Sequence, residues 1–272
     1  MSHPVSAFHL AYSWRSDRGR VRAQNEDAVI VEPDLGLVVV ADGVGGANAG
    51  EVASRLATET IVERFHRQAM SRTDSESIRL FVEATIQEAN IIIWRQGKEA
   101  SEHTGMGTTI AMGAAGSDWL VLGHVGDSRI YRLRDGELEQ LSRDHSFIQE
   151  VIDQGFFASR EDARRYGIGE NILTRALGSA AVVEVATQII DLATGDLLLF
   201  CSDGLNGMIA DDWMREILMS VAENSLDAAA DALIRIANEQ GGKDNITLAL
   251  IQVGEQIKSH AGGAEGQRLD DD

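Results

Sequence analysis

An α+β fold, with mainly antiparallel sheets covered by helices, is predicted by two patterns in the chain. Short apolar runs of strand length come in groups, and these groups alternate with pairs of longer segments whose apolar residues recur at helical spacing. A third pattern argues for one folding unit. Four aspartates stand where apolar runs begin or end: Asp27 before residues 28–31, Asp42 after 38–41, Asp203 after 197–200, and Asp244 before 246–250. A site shared by all four requires nearly the whole 272-residue chain to fold together.

Taken in order, residues 7–13 and 28–31 read as strands, and 36–41 is an apolar run too brief for a helix. Past the glycine cluster Gly43, Gly45 and Gly46, residues Ala49, Val52, Ala53, Leu56, Ala57, Ile61 and Phe65 fall at helical spacing. Ile78, Phe81, Val82, Ile86, Ala89, Ile92 and Ile93 do so again after a break at 72–75, so two long amphipathic helices are expected. Strands return at 108–112, 119–125 and 129–133, and Asp135-Gly136 turns the chain into another at 138–141. Residues 144–178 lose strand character and are rich in charge and glycine; an inserted, mobile element of short helices and loops is expected there. Strands resume at 183–190 and 196–201, helices follow at 211–221 and 226–237, and the last strand runs through Val253. The expected organisation is a single domain over residues 1–257 and a disordered acidic tail over 258–272.

Lys plus Arg number 24 against 43 Asp plus Glu, a formal charge of -19 that opposes binding to nucleic acid or to an anionic bilayer. Cys201 is the sole cysteine, so no intrachain disulfide is possible, and an inert core thiol is expected. Residues 1–20 hold no apolar stretch of the kind a signal peptide needs, and no run approaches bilayer-spanning length; a cytoplasmic protein is the expectation.

Carboxylates mounted on strand ends have little freedom to lose, and held together they repel one another unless a cation sits among them. Mg2+, Mn2+ and Ca2+ prefer such oxygen donors. Each acidic segment alone has a plainer alternative. Asp42-Gly43 is also a strand-to-helix turn, Arg22 ahead of Glu26 and Asp27 is also an exposed ion pair, and Asp127 in Gly126-Asp127-Ser128-Arg129 also suits a hairpin turn. Their joint occurrence carries the metal reading. The chain lacks a G-x-G-x-x-G or P-loop fingerprint at Asp42, a zinc H-E-x-x-H, a G-x-S-x-G elbow and an EF-hand loop. Arg22 has the side chain best shaped for bidentate contact with a phosphate, and His124 and His145 are expected to be structural.

In order along residues 8–253, the chain carries Arg22-x-x-Asn25-Glu26-Asp27, Ala41-Asp42-Gly43-x-Gly45-Gly46, Gly107-Thr108-Thr109, Gly126-Asp127-Ser128-Arg129, Asp144-His145-Ser146, residues 173–178, Cys201-Ser202-Asp203-Gly204 and Asp244-Asn245-Ile246-Thr247. This series resembles the motifs of the PPM (PP2C-like) metal-dependent protein Ser/Thr phosphatases, in the compact form of the bacterial branch. The resemblance implies a central β-sandwich flanked by helix pairs, in α-β-β-α layers, with two Mn2+ or Mg2+ ions at one end. It implies that Asp42 bridges both metals, that Asp27 and the Gly43 carbonyl complete one shell, and that Asp203 and Asp244 hold the other ion. Asp127 with Asp203 would form a weaker third site. Arg22 would bind the substrate phosphate, Glu26 would orient a metal-bridging water for in-line attack, and Asn245 would support Asp244.

The partners implied are phosphorylated proteins and a cognate Ser/Thr protein kinase, with a monomer favoured. Val44 stands where many eukaryotic relatives have a histidine, so leaving-group protonation is assigned first to a metal-bound water and second to His145. The insert reads Tyr166-Gly167-Ile168-Gly169-Glu170-Asn171 where bacterial relatives often have His-Pro-x-Arg-Asn, and its substrate contacts are not carried over. The rival readings are a catalytically silent phosphoprotein-binding module on the same fold and a hydrolase of small phosphate esters.

Overall fold

The computed structural model describes residues 6–45, 49–68, 74–99, 105–169, 172–222 and 225–256. The expected tail at 258–272 lies outside them. Two antiparallel sheets form the centre. One has the order β1 (Phe8–Asp17), β11 (Ile246–Gln256), β10 (Leu197–Cys201), β7 (Arg129–Arg134), β8 (Glu137–Gln140). The other runs β2 (Asp27–Glu32), β3 (Leu37–Val44), β5 (Ile110–Ala115), β6 (Trp119–Val125), β9 (Ala186–Asp191), with the two-residue β4 (Gly107–Thr108) on the end of β3.

Period-two burial explains why the sheets stack. On β3, Val38 and Val40 face the other sheet, where they join Leu198 and Phe200 of β10 and Ala249 and Ile251 of β11. The alternate residues Leu37, Val39 and Ala41 face outward onto α1 (Ala49–Arg67) and α2 (Ser75–Glu99). The alternate residues of β10, Leu197, Leu199 and Cys201, face α6 (Asp211–Met219) and α7 (Leu226–Glu239). Both faces of these central strands are therefore apolar, and the result is four layers, α-β-β-α. Each fully buried Leu, Ile, Val or Phe contributes about 1.5–3 kcal/mol. Gly113 has no side chain because a Cβ there would come within 2.7 Å of the Phe200 ring across the sandwich.

Local chemistry sets the boundaries. Ser225 caps α7 by accepting a hydrogen bond from the Ala228 amide at 3.1 Å. Asp135 and Gly136 both have positive φ, 52° and 80°, the turn that the twist of the β7–β8 hairpin selects. The strand expected at 108–112 is broken at Thr109, whose amide donates to the Asp42 carbonyl at 2.9 Å. Only residues 186–191 of the run expected from 183 pair as strand, and buried Val183 packs beneath α1 and α2. Residues 144–178 carry two short helices, α3 (Phe147–Asp153) and α4 (Arg160–Arg165). Bridges Ser146↔Leu173 and Thr108↔Leu177 close the insert, and Arg160 of α4 reaches back to Asp144 at 2.6 Å.

Candidate metal centre

Antiparallel register places the first carboxylate pair. Asp27 opens β2 opposite Asp42 near the end of β3. The Gly43 amide donates to the Glu26 carbonyl at 3.2 Å, which makes 26/43 the hydrogen-bonded pair. The adjacent 27/42 pair is then non-hydrogen-bonded, with Cα atoms about 4.5 Å apart and both side chains on one face. Thr109 locks Asp42 from the side: its Oγ1 accepts the Asp42 amide at 3.0 Å and lies 2.6 Å from Ser128 Oγ.

The other sheet supplies the remaining acids at the same end. β10 and β11 pair antiparallel with Cys201 opposite Leu248, so the end of β10 lies beside the start of β11. Asp203 follows β10 and opens the four-residue α5 (Asp203–Asn206), a helical turn where a plain strand end was expected. Asp244 precedes β11. Gly204 keeps the two acids close, since a Cβ there would meet the Asn245 carbonyl at 1.9 Å. Ser202 ties the sheets together, donating to Asp27 Oδ2 at 2.7 Å while accepting the Thr247 amide at 3.0 Å. Asp127 lies on the link from β6 to β7, which belong to different sheets, so the hairpin alternative for it does not hold.

A pocket of ≈ 210 Å³ is lined by Asp42, Asp127, Asp203, Asp244, Glu26 and Arg22, with Gly43, Val44 and Asn245 among the remaining wall residues. Asp27 sits beneath it, half-buried with its Oδ1 closed to solvent, close enough to feel Asp203 and Asp244. Burial is the main force on these acids, followed by mutual repulsion. It lifts Asp27 to about 7, and Asp42 well above the usual carboxylate range. Asp127 is lifted to about 7 by burial and then by Asp203, and Asp203 is raised by burial and then by Asp244. Glu26 is raised by burial, with Arg22 opposing.

Arg22 reaches across the mouth to Asp244, Nη2 to Oδ2, at 2.6 Å. Asn245 supports Asp244 through its backbone amide, which donates to Asp244 Oδ1 at 2.8 Å, and its side chain does a second job. Its Oδ1 accepts the Glu26 amide at 2.8 Å, and its Nδ2 donates to the carbonyls of Arg18 and Gln24, so it fastens the loop that carries Arg22 and Glu26. His145 does not line the pocket. Its Nδ1 accepts the Gly126 amide at 3.1 Å and its ring stacks on His124 with centroids 4.7 Å apart. Burial, then His124 and Arg175, hold its pKa down to about 3. His145 is therefore a neutral acceptor near pH 7, unsuited to protonating a leaving group. Cys201 is buried, with its thiol pushed up to about 12, and is inert as expected.

A hard divalent cation fits this donor set. Asp27 Oδ1 is buried without a hydrogen-bond partner, and burial with mutual repulsion makes Asp27 and its three neighbours Asp42, Asp127 and Asp203 resist ionisation, a cost that a cation would offset. Among the described residues no three His, Cys, Asp or Glu side chains are gathered closely enough to form a complete ligand set in this geometry. Arg22 pairs with Asp244, while Asp203 lies within hydrogen-bond reach of Asp42. Reading motifs alone gave no role to Thr109, Ser202 or Thr247. Each stands inside a matched motif segment, but its partner comes from another strand.

An α-β-β-α sandwich with an acidic, oxygen-rich pocket at one end defines a metal-dependent hydrolase. The protein phosphatase 2C family model matches residues 18–249, and the chain belongs to that family. It is a protein serine/threonine phosphatase by class, and the family depends on Mn2+ or Mg2+. The serine/threonine phosphatase stp of Listeria monocytogenes is 40% identical over 242 residues, 88% of this chain and 94% of that one. The S. agalactiae serine/threonine phosphatase structure superposes with a TM-score of 0.83 at 34% identity, covering 90% of this chain and all of the other. The catalytic domain of PstP, solved in complex with two manganese ions, gives 0.77 at 34% identity over 90% of this chain and 99% of that one. No helix among the described residues is long and apolar enough to cross a membrane.

Proposed function

We propose that one domain over residues 1–257 hydrolyses phosphoserine and phosphothreonine in phosphoproteins and so opposes a Ser/Thr protein kinase in the cytoplasm, acting as a monomer. The observation that carries this is the meeting of Asp42, Asp127, Asp203 and Asp244 in one pocket over half-buried Asp27, with Arg22 at its mouth.

Asp42 would be the shared ligand, Asp27 and the Gly43 carbonyl would help to hold one ion and Asp203 and Asp244 the other, and Asp127 with Asp203 would offer a weaker third position. Two divalent cations in such a site supply Lewis acidity, a lowered water pKa and neutralisation of phosphoryl charge. Among the described residues no hydroxyl, thiol or imidazole side chain lines the pocket, and with the carboxylates engaged as ligands the attacking oxygen is that of water. Glu26, on the wall, accepts a hydrogen bond from that water and orients it. Arg22 turns its guanidinium from Asp244 to the phosphate oxygens and holds the group in line. Asn245 keeps both residues in place through the loop it fastens. The insert at 144–178, held to Asp144 through Arg160, is the mobile element that adjusts access to the pocket.

The test is turnover of a phosphothreonine peptide with Mn2+, its loss on chelation, and its loss in Asp42→Asn. Full activity in that variant ends the two-metal reading. Hydrolysis of small phosphate esters with no turnover of phosphopeptides would move the function to that rival class.

A further inference from the structure

A cavity of ≈ 400 Å³, larger than the ≈ 210 Å³ catalytic pocket, lies against it. Val44 is a wall of both. Two strands of chain pass from one into the other. The end of β3 bonds to β4 through Val44↔Gly107, and Gly107 lines the larger cavity. The segment leaving the insert has Leu173 in the catalytic pocket and Ala176 and Ser179 in its neighbour, pinned between them by the bridge Thr108↔Leu177. The chemistry changes across this boundary. The catalytic pocket is a carboxylate cradle, whereas Trp94, Met106, Ala176 and Val44 make the adjoining groove largely apolar, with Lys98 exposed on its rim.

A phosphoryl group in the acidic pocket brings its polypeptide with it, and that chain must leave along the rim. At about 3.4 Å per extended residue it reaches a cavity that shares a wall with the pocket within about three residues. An apolar hollow gives binding energy to a side chain large enough to fill it and almost none to alanine. Resting on the phosphatase reading above, we propose that this groove is a substrate subsite: it seats the phosphoprotein's own chain and selects a large apolar side chain within about three residues of the phosphorylated position. Lys98 at the rim favours an acidic residue beside that apolar one, in a protein whose net charge of -19 otherwise repels acidic peptides.

The experiment uses the Mn2+-loaded full chain and a phosphothreonine peptide with alanine at every flanking position, replaced one position at a time by leucine. Each peptide is run beside p-nitrophenyl phosphate, which has no flanking chain. We expect kcat/KM to rise about tenfold at one or two positions near the phosphothreonine. Trp94→Ala, which empties the groove, and Ser179→Trp, which fills it from an exposed rim position, should both flatten that profile and leave p-nitrophenyl phosphate turnover unchanged. A flat wild-type profile, or one that survives both variants, overturns the subsite and leaves the phosphatase reading standing. Failure to hydrolyse p-nitrophenyl phosphate with Mn2+ overturns both.

Discussion

Asp27→Asn should make the metal-free protein more stable at neutral pH. Asp27 is half-buried with its Oδ1 closed to solvent, and its carboxyl is raised from 3.8 to about 7 by burial and by the neighbouring acids. At 1.36 kcal/mol per pH unit that difference corresponds to about 4 kcal/mol. Its sign is destabilising. Below pH 4 the group is protonated whether the chain is folded or not, and there is no cost. Between pH 4 and 7 the unfolded chain releases the proton and the folded one keeps it, so stability falls as pH rises. Above 7 the full cost is present. Asparagine carries no charge, and its carboxamide oxygen can still accept the hydroxyl of Ser202, now 2.7 Å from Asp27 Oδ2. At ~2–4 °C per kcal/mol for a domain of this size, the variant should melt roughly 8–16 °C above wild type in EDTA at pH 7.5, and within a few degrees of wild type at pH 4.5. Mn2+ should narrow the gap, because binding to the native state at a hundredfold excess over Kd contributes roughly 2.7 kcal/mol to wild type and the variant has lost a ligand. Differential scanning fluorimetry across pH 4.5–8, with EDTA or Mn2+, reads all four conditions. A variant that melts at or below wild type in EDTA at pH 7.5, or that keeps the full Mn2+ shift, refutes the reasoning.

Arg22→Ala should raise KM for phosphopeptide about tenfold and leave the Mn2+ melting shift intact, since the half-exposed Arg22–Asp244 pair adds little stability; unchanged kinetics would remove Arg22 from phosphate binding. Asp144→Asn should cost about 3–5 kcal/mol in urea denaturation, because Asp144 is 3% exposed and its loss as a charge leaves Arg129, 11% exposed, and Arg160 unpaired. A loss under 1 kcal/mol would show that the network is incidental. His145→Asn, whose side-chain oxygen can still accept the Gly126 amide, should keep most of the turnover that His145→Ala loses. Equal loss in both, or a shifted basic limb of the pH-rate profile, would restore His145 as a proton donor.

Strand and helix order were legible in the sequence because the apolar positions carry their own period. Residues 28–31 and 38–41 are apolar on both faces, which only a strand between two layers can use, and the spacing from Ala49 to Phe65 admits only a helix with one buried face. The identity of the acids was legible too, since each aspartate abutting such a run has a plainer role alone but four of them together do not. Boundaries were less legible. Thr109 interrupts an apolar run because its amide and hydroxyl are both drawn to the backbone of Asp42, sixty-seven residues away in sequence.

The sequence by itself thus determined the layers, the family and the list of candidate residues, because periodicity and motif are properties of neighbours in the chain. Only the tertiary structure decided how those residues work together. It put Asp27 and Asp42 in a non-hydrogen-bonded register, joined the two sheets through Ser202, turned Asn245 toward the Arg22 loop and made His145 an acceptor. It also placed an apolar groove across Val44 from the carboxylates. Hydrogen bonds and repulsion fall off within a few ångströms, so they depend on which distant segments the fold brings side by side, and no local pattern records that.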